Sequence, residues 1–224
     1  MEELLTEDSF VNVHLHTEHS LLDGLTKIPD LVEKIKSLGQ PGVAITDHGT
    51  MAGMVEFYNC CNQNDVKPLI GVELYTDDLL TGEHTRPVNH ATAWALNDDG
   101  LRNLLLLTSQ SHRNFHHNRP RVTMELLEQF NDGVALSTGC ASGFVPHLVV
   151  KGDFKQAECV IDKLQNIFNN RLYFEIQAPV PLNDDGGKQL HAEQTIINTQ
   201  MIEYSNRYSV PLLLASDAHY LNAE

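Results

Sequence analysis

The chain has 224 residues, of which 42% are hydrophobic, enough to bury the core of one α/β domain or of two small ones. No segment approaches the length of a membrane span, and the acidic N-terminus argues against a signal or transit peptide. The formal net charge of -15 argues against a protein that coats duplex DNA, although bound divalent cations would add positive charge where a phosphate sits. Four unevenly spaced cysteines form no disulfide framework, so we expect a cytoplasmic protein with no membrane contact.

Short apolar runs alternate along the chain with amphipathic segments of helical length. The predicted strands are residues 10–14, 42–46, 68–74, 91–96, 134–137, 172–176 and 211–215, and the predicted helices are residues 28–38, 51–62, 98–109, 124–129, 155–168 and 188–208. Such units imply mainly parallel strands with helices outside, in an open sheet or a barrel. Because we find no repeat and no linker, we predict a single domain, 1–224. Its least ordered stretches should be residues 77–89, 112–120 and 179–187.

Two histidines, His14 and His16, stand at the end of the first predicted strand at a spacing that places both on one face. Two imidazoles side by side are costly to bury unless something ligates them, and a divalent metal ion does this well. For this pair alone, the alternative is a strand that carries two half-exposed histidines.

Residues that can ligate a metal recur at the other predicted strands. They are Asp47, His48, Glu73, His90, Cys140, Asp217 and His219. In parallel α/β folds the loops after the carboxyl ends of the strands build the active site. A set spread over most of the strands therefore favours a metal site over scattered structural histidines.

Six segments carry a family resemblance: HLHTEHSLLDG, AITDHGTMAG, KPLIGVELY, NHATAWALNDDGLRNL, LSTGCASG and LLASDAHYL. They resemble the successive motifs of the PHP (polymerase and histidinol phosphatase) domain, in the version found at the N-terminus of bacterial DNA polymerase III alpha subunits. The resemblance runs from about residue 10 to residue 221. It implies a distorted seven-stranded (β/α)7 TIM-like barrel with a trinuclear metal site at its rim.

The resemblance also implies three divalent ions, of zinc, manganese or iron. It places one on His14, His16, Glu73 and Asp217, a second on Glu73, His90 and Cys140, and a third on Asp23, His48 and His219. All nine positions carry residues able to ligate, which favours an active enzyme. We expect Asp217, Glu73, His48 and His219 to be catalytic. Asp47 is expected to orient an imidazole from outside the ligand set.

Two arginines, Arg119 and Arg121, lie in an element similar to the family's Lys-Pro-Arg segment, where a guanidinium could clamp a substrate phosphate. The resemblance and the loop position favour Arg121 for this role. The alternative for both arginines is a salt bridge on a loop. Nearby, His112, His116 and His117 are expected to be solvated rather than ligating, although one of them could approach a phosphate.

Water on such ions has its pKa lowered, which provides hydroxide as nucleophile for hydrolysis at phosphorus. The predicted function is therefore metal-dependent phosphoester hydrolysis by a 3'→5' exonuclease of the proofreading type, acting on single-stranded or primer-end DNA beside other replication polymerase subunits. Two alternatives stay open, and the acidity of the chain favours both. One is a small-molecule phosphatase or phosphodiesterase of the histidinol-phosphatase type, and the other is a non-catalytic structural module of a replicative polymerase.

Overall fold

The computed structural model describes residues 10–21, 23–84, 88–178 and 185–222, without the side chains of residues 185–189. The strands in these ranges are β1 Gly42–Ile45, β2 Lys67–Thr76, β3 Asn89–Ala95, β4 Phe115–His116, β5 Arg119–Pro120, β6 Val134–Ser137, β7 Leu172–Gln177 and β8 Leu212–Ala215. The helices are α1 Ile28–Ser37, α2 Met54–Gln63, α3 Asp98–Arg113, α4 Met124–Gln129, α5 Phe144–Val150, α6 Phe154–Phe168 and α7 Asp185–Tyr208. None of the described helices is long and apolar enough to cross a membrane.

Six strands form one curled sheet, a half-barrel, in the order β1-β2-β3-β6-β7-β8. The pairs β1–β2, β6–β7 and β7–β8 are parallel, but β3 runs antiparallel to both of its neighbours. Our expectation of mainly parallel strands is therefore wrong at β3. A parallel pair needs a crossover, usually a helix, and the described part of the β2–β3 connection contains none.

The predicted first strand is not a regular strand. Asn12 forms a single parallel bridge with Val43 of β1, and Leu15 forms one with Ala218 beyond β8. The hydroxyl of Thr46 accepts the N–H of Leu15 at 2.9 Å, so a side chain replaces a ladder hydrogen bond. The sheet is thus a six-stranded half-barrel, where we expected a complete seven-stranded barrel.

The predicted helices lie close to the observed ones where capping signals mark their ends. Asn97 accepts the N–H of Gly100 at the start of α3, and Asp153 caps α6 in the same way. The sequence did not reveal α5, whose residues are nearly all apolar and buried, because a helix without a polar face shows no amphipathic period.

A short hairpin replaces part of the loop predicted for residues 112–120. Helix α3 continues to Arg113, and β4 then pairs with β5. His117 and Asn118 form the turn, with φ of 47° and 61°. Two consecutive residues with positive φ are typical of the type I′ turns that join strands tightly. The loop predicted for residues 179–187 lies mostly outside the described residues.

Two larger apolar clusters pack helices against the sheet, one beneath α3, α6 and α7 and one beneath α1 and α2. A third cluster lies on the concave face of the sheet, where Trp94 packs with Ala44 and Ala135 and donates its Nε1–H to the carbonyl of Val13 at 2.8 Å. His90 lies on the same face of β3, about 13 Å further along the strand. The apolar cluster therefore fills one end of the half-barrel and leaves the other end to polar residues.

Candidate metal centre

The nine predicted ligands lie at one end of the half-barrel. His48, Cys140 and Asp217 follow β1, β6 and β8 by two or three residues, at the carboxyl ends of parallel strands. Glu73 lies within β2 and forms an isolated bridge with His48. His90 lies near the start of β3, and it reaches the same end of the sheet because β3 runs antiparallel.

The buried carboxylate of Glu73 is the hub of this end of the sheet, with five predicted ligands around it. Its oxygens lie 3.4 Å from His14 Nε2, 3.4 Å from His16 Nε2, 2.6 Å from His48 Nδ1, 3.0 Å from His90 Nδ1 and 3.8 Å from Cys140 Sγ. One carboxylate thus faces four imidazoles and a thiol, an arrangement suited to a ligand shared between ions.

Asp217 is a second carboxylate near the same histidines. Its Oδ1 lies 3.4 Å from His14 Nε2, 3.2 Å from His16 Nε2 and 3.7 Å from His219 Nδ1. The ring of His219 stacks on that of His16 with centroids 4.2 Å apart. Asp217 has a φ of 48°, a conformation that Asp adopts more easily than most residues and that is often found at functional sites.

The remaining predicted ligand is Asp23, whose Oδ2 lies 3.2 Å from His48 Nε2. Its side chain is 47% exposed, so it belongs to the mouth of the site rather than to its floor. The structure therefore brings all nine predicted positions into one connected group.

Several buried atoms in this group have no hydrogen-bond partner of acceptable geometry. They are His14 Nε2, His16 Nε2, His48 Nδ1, Glu73 Oε2 and Asp217 Oδ1. Leaving such atoms unpaired is costly, and a cation ligated by them would remove the cost. Three sets of side chains place ligand atoms within 4.8 Å of one another: His14, His16 and Glu73; His16, His48 and His219; and His48, Glu73 and His90. The residues present therefore fit divalent metal ions, and imidazole, carboxylate and thiol donors together suit zinc best.

A second layer of residues, which the sequence did not reveal, holds the ligands in place. His14 Nδ1 lies 2.7 Å from the buried carboxylate of Glu175, which also accepts the hydroxyl of Ser137 at 2.7 Å. A carboxylate that accepts the Nδ1–H fixes the tautomer of the imidazole and leaves Nε2 free to ligate. Only the inward alternation of Tyr173, Glu175 and Gln177 along β7 could have indicated this role.

The expectation that Asp47 orients an imidazole directly is wrong. Its carboxylate accepts the N–H and hydroxyl of Thr17 at 2.7 and 2.8 Å and the hydroxyl of Ser20 at 2.7 Å. Ser20 Oγ in turn lies 2.9 Å from His16 Nδ1. These hydrogen bonds of Asp47 go to the turn at residues 17–20 and not to an imidazole, so Asp47 positions His16 through Ser20.

Burial and charge act in opposite directions on the pKa values of the site. Burial would lower the pKa of His14, but the carboxylates of Glu175, Glu73 and Asp217 raise it well above its usual value. Burial would raise the pKa of Glu73, yet His90 and His14 hold it well below its usual range. Burial would raise the pKa of Asp217, but its interactions with His14 and His16 together lower that pKa to about 2. Both carboxylates are thus anionic at neutral pH.

The two predicted substrate-binding arginines have different surroundings. The guanidinium of Arg119 lies over the ring of Tyr75, 5.2 Å from its centroid, and Tyr75 stacks on His48 with centroids 5.6 Å apart. Arg121 is fully buried, with Nε 3.9 Å from the carboxylate of Asp77. Arg119 therefore stands at the rim of the metal centre, and Arg121 lies beneath it.

Comparison with known proteins gives a consistent picture. The family model of the PHP domain matches residues 12–179. DNA polymerase III subunit alpha of Aquifex aeolicus (strain VF5) is 34% identical over 229 residues, which cover 96% of this chain and 18% of the relative. The same subunit of Borreliella burgdorferi (strain ATCC 35210 / DSM 4680 / CIP 102532 / B31) is 34% identical over 220 residues, with the same coverage. The chain spans less than a fifth of the length of these relatives.

Two solved structures share the fold at low sequence identity. One is a two-domain protein from Bacteroides vulgatus ATCC 8482 whose PHP-like domain is provisionally ascribed to the metal-dependent phosphoesterases. It has a TM-score of 0.57 and 12% identity, over 93% of this chain and 51% of that one. The other is a protein from Bifidobacterium adolescentis ATCC 15703, provisionally ascribed the same activity. It has a TM-score of 0.50 and 17% identity, over 95% of this chain and 88% of that one.

Proposed function

Since this chain belongs to the PHP domain family, we propose that it is a metal-dependent phosphoester hydrolase that removes nucleotides from DNA in the 3'→5' direction. Its substrate would be single-stranded or primer-end DNA, and its action that of a proofreading exonuclease. The observation that carries the proposal is the clustering of five buried ligand atoms without hydrogen-bond partners, on His14, His16, His48, Glu73 and Asp217.

We assign three divalent ions, of zinc, manganese or iron, to the centre. The ligands are His14, His16, Glu73 and Asp217 for the first ion, Glu73, His90 and Cys140 for the second, and Asp23, His48 and His219 for the third. The short distances from Glu73 to His14, His16, His90 and Cys140 and from Asp23 to His48 support this division. His48 also lies 2.6 Å from Glu73, and His16 lies close to His48 and His219, so the three proposed ions would be near neighbours.

Divalent ions, when bound, lower the pKa of water and stabilise charge on phosphoryl oxygens. The side chains divide between the floor of the site and its mouth. Glu73 is buried on the floor and holds the imidazoles in place. His48, Asp217 and His219 have side chains 10%, 22% and 23% exposed, so a phosphoester entering from solvent could reach them past Asp23 at the mouth. The anionic Asp217 carboxylate can there accept a hydrogen bond from the attacking water.

The substrate assignment rests on the relatives, which are alpha subunits of a DNA polymerase. On the same basis we propose other replication polymerase subunits as partners and the cytoplasm as location. We propose Arg119 for the phosphate contact in place of Arg121, which the resemblance favours, because Arg119 stands at the rim and Arg121 is fully buried beneath it.

We further propose that residues 1–224 form one domain and that the segment of Asn12 to Leu15 acts as a seventh strand. One of its two bridges is to β1 and the other is to Ala218, just beyond β8, so the segment connects the two edges of the half-barrel. Closing a sheet in this way removes its edge strands.

Asp217→Asn tests the proposal, because it keeps the shape of the side chain and removes its charge. The wild-type protein should carry close to three transition-metal ions per chain by elemental analysis and shorten a 5'-labelled oligonucleotide from its 3' end. The variant should lose more than about 100-fold in activity, since even residues outside the ligand set are worth 10–100-fold. Asp162→Asn on the exposed face of α6 is the matched control and should change neither quantity.

Single-stranded DNA, primer-template and p-nitrophenyl phosphate assayed side by side distinguish the alternatives. Hydrolysis of the aryl ester alone would indicate a small-molecule phosphatase. A protein with only trace metal and no hydrolysis of any of the three would contradict the proposal and indicate a structural module.

A further inference from the structure

One face of β2 leads outward from the metal centre. Side chains alternate along a strand, so Glu73, Tyr75 and Asp77 share a face at intervals of about 7 Å. Glu73 is the hub of the centre, and Asp77 is fully buried one residue beyond the end of β2. Groups on this face therefore lie at increasing distances from the place where a phosphoester would be hydrolysed.

The first step along this face is occupied by Tyr75 and Arg119. Tyr75 contacts the ring of His48, and the guanidinium of Arg119 covers Tyr75. The hairpin that carries Arg119 is fixed against the rim, because a Cβ on Gly49 would come within 2.8 Å of Pro120 Cγ and 3.2 Å of the Tyr75 ring. Arg119 thus presents a planar cation on a fixed support beside the metal centre.

The second step is a group of imidazoles, here called the histidine cluster, made of His84, His116 and His117. The rings of His84 and His116 stack with centroids 3.7 Å apart, and those of His116 and His117 are 3.9 Å apart. The buried carboxylate of Asp77 lies 2.9 Å from His84 Nδ1, while the side chain of His84 is 40% exposed. Asp77 therefore orients His84 with its Nε2 directed away from the protein core.

The segment of residues 101–123, which includes the hairpin, carries a charge opposite to that of the chain as a whole. No Asp or Glu lies between Gly100 and Met124, although the chain carries 30 acidic residues and a net charge of -15. The turn at the tip places His117 at a φ of 47°, which costs free energy in a residue other than glycine. Backbone strain of this kind is commonly retained where it positions a functional group.

We propose that Arg119 on Tyr75, together with the histidine cluster, forms a track that holds a single polynucleotide strand as it leaves the metal centre. The proposal rests on the proposed function, since it extends the same site. The guanidinium of Arg119 binds the nucleotide next to the scissile phosphate, through its N–H groups and its flat face. The N–H groups of the histidine cluster bind a phosphate further along the strand.

Binding of fluorescein-labelled oligothymidylates with phosphorothioate linkages at the 3' end tests the track, because these ends resist hydrolysis by the metal-loaded protein. Arg119→Ala should lower the affinity for an octamer about tenfold, as measured by fluorescence anisotropy. It should also lower the slope of log affinity against log salt by about 0.7, the value for one lost phosphate contact to a single strand. The double variant His116→Ala/His117→Ala should lower the affinity for the octamer severalfold. Its affinity for a dinucleotide should be unchanged, because a dinucleotide is too short to reach the histidine cluster.

Arg102→Ala on α3 and His191→Ala on α7 are matched controls on exposed positions, and neither should change binding. Melting temperatures close to that of the wild type would show that the hairpin variants are folded. Octamer binding that is insensitive to the hairpin variants, or that falls equally in the controls, would overturn the track.

Hydrolysis of bis(p-nitrophenyl) phosphate separates the track from the proposed function. Retained hydrolysis with insensitive octamer binding would leave the phosphoesterase and remove the track. Octamer binding that depends on Arg119 and the histidine cluster, in a protein that hydrolyses no phosphoester, would retain the track as a strand-binding surface and remove the proposed function.

Discussion

Glu175 illustrates how much a single buried carboxylate contributes to the centre. It accepts from His14 Nδ1 at 2.7 Å and from the hydroxyl of Ser137 at 2.7 Å, deep within the sheet. Glu175→Gln keeps the size of the side chain and removes the charge that orients His14. We expect metal affinity to fall about 10–100-fold, the range found for partners of metal-ligating histidines. Competition with a chelator of known affinity measures the change.

Glu128→Gln is the matched control, because Glu128 is exposed on α4 and carries the same functional group. In the metal-free protein the pKa of His14 should also fall in Glu175→Gln, since the Glu175 carboxylate is the leading influence that raises it. Unchanged metal affinity together with an unchanged His14 titration by NMR would show that Glu175 is not a positioning residue.

At this scale the sequence indicates the residues that point into the centre better than those that support them. His14 and His16 are conspicuous because they stand two residues apart after an apolar run, and the carboxylates and Cys140 stand beside predicted strand ends. Glu175 lies among alternating residues of β7, where a half-exposed polar side chain is equally compatible with the pattern. Its burial follows from the pairing of β7 with β6 and β8, which sequence does not specify.

The close contact of two elements at Gly49 provides a prediction at the scale of the element. Gly49→Ala introduces strain at a φ of 60° and a Cβ within 2.8 Å of Pro120 Cγ. The strain alone costs about 1–2 kcal/mol, which lowers the melting temperature of a chain of this length by about 2–8 °C. Displacement of the adjacent His48 should also lower the metal content.

Gly39→Ala separates these two effects. Gly39 has a φ of 68°, but no atom lies within 4 Å of the place where a Cβ would be. This control should lower the melting temperature and leave the metal content unchanged. If both variants kept their full metal content, the hairpin would not be coupled to the metal centre in the way the packing indicates.

The direction of β3 shows what the pattern of elements could and could not predict. The apolar runs located six of the seven predicted strands as regular strands, within one or two residues of the observed bounds. The alternation of strands and helices predicts that neighbouring strands are parallel. This prediction is wrong for β2 and β3, between which the sequence predicts no helix. The absence of a helix-length segment there was the available signal for an antiparallel pair. His90 nevertheless lies at the expected end of the sheet.

At the scale of the whole molecule, the polar and apolar residues of the half-barrel are segregated along its strands. Trp94, Ala44 and Ala135 fill one end with apolar groups, and the carboxylates and imidazoles occupy the other. Anionic groups gathered at one end are costly without compensating positive charge. Imidazolium groups compensate them at low pH, and divalent cations can do so at any pH that leaves the ligands deprotonated.

The two kinds of compensation predict opposite responses to pH. In the metal-free protein the pKa values of His14 and His48 are raised by neighbouring carboxylates in spite of burial. A raised folded-state pKa contributes stability that is fully present below the unfolded value of about 6.5 and is lost as the pH rises through the folded value. Metal binding requires neutral imidazoles, so its contribution grows over the same range.

We therefore expect the melting temperature of the chelated protein to fall as the pH is raised above about 6.5, because the imidazolium–carboxylate pairs are lost. The melting temperature of the metal-loaded protein should rise or stay constant over the same range. At a metal concentration 100 times the dissociation constant, it should exceed the melting temperature of the chelated protein by about 5–10 °C. Phosphoester hydrolysis should increase over the same interval, and calorimetric titrations in buffers of different ionisation enthalpy should detect protons released on metal binding. Parallel pH profiles for the chelated and metal-loaded proteins, without proton release, would mean that the imidazoles of His14 and His48 are not metal ligands.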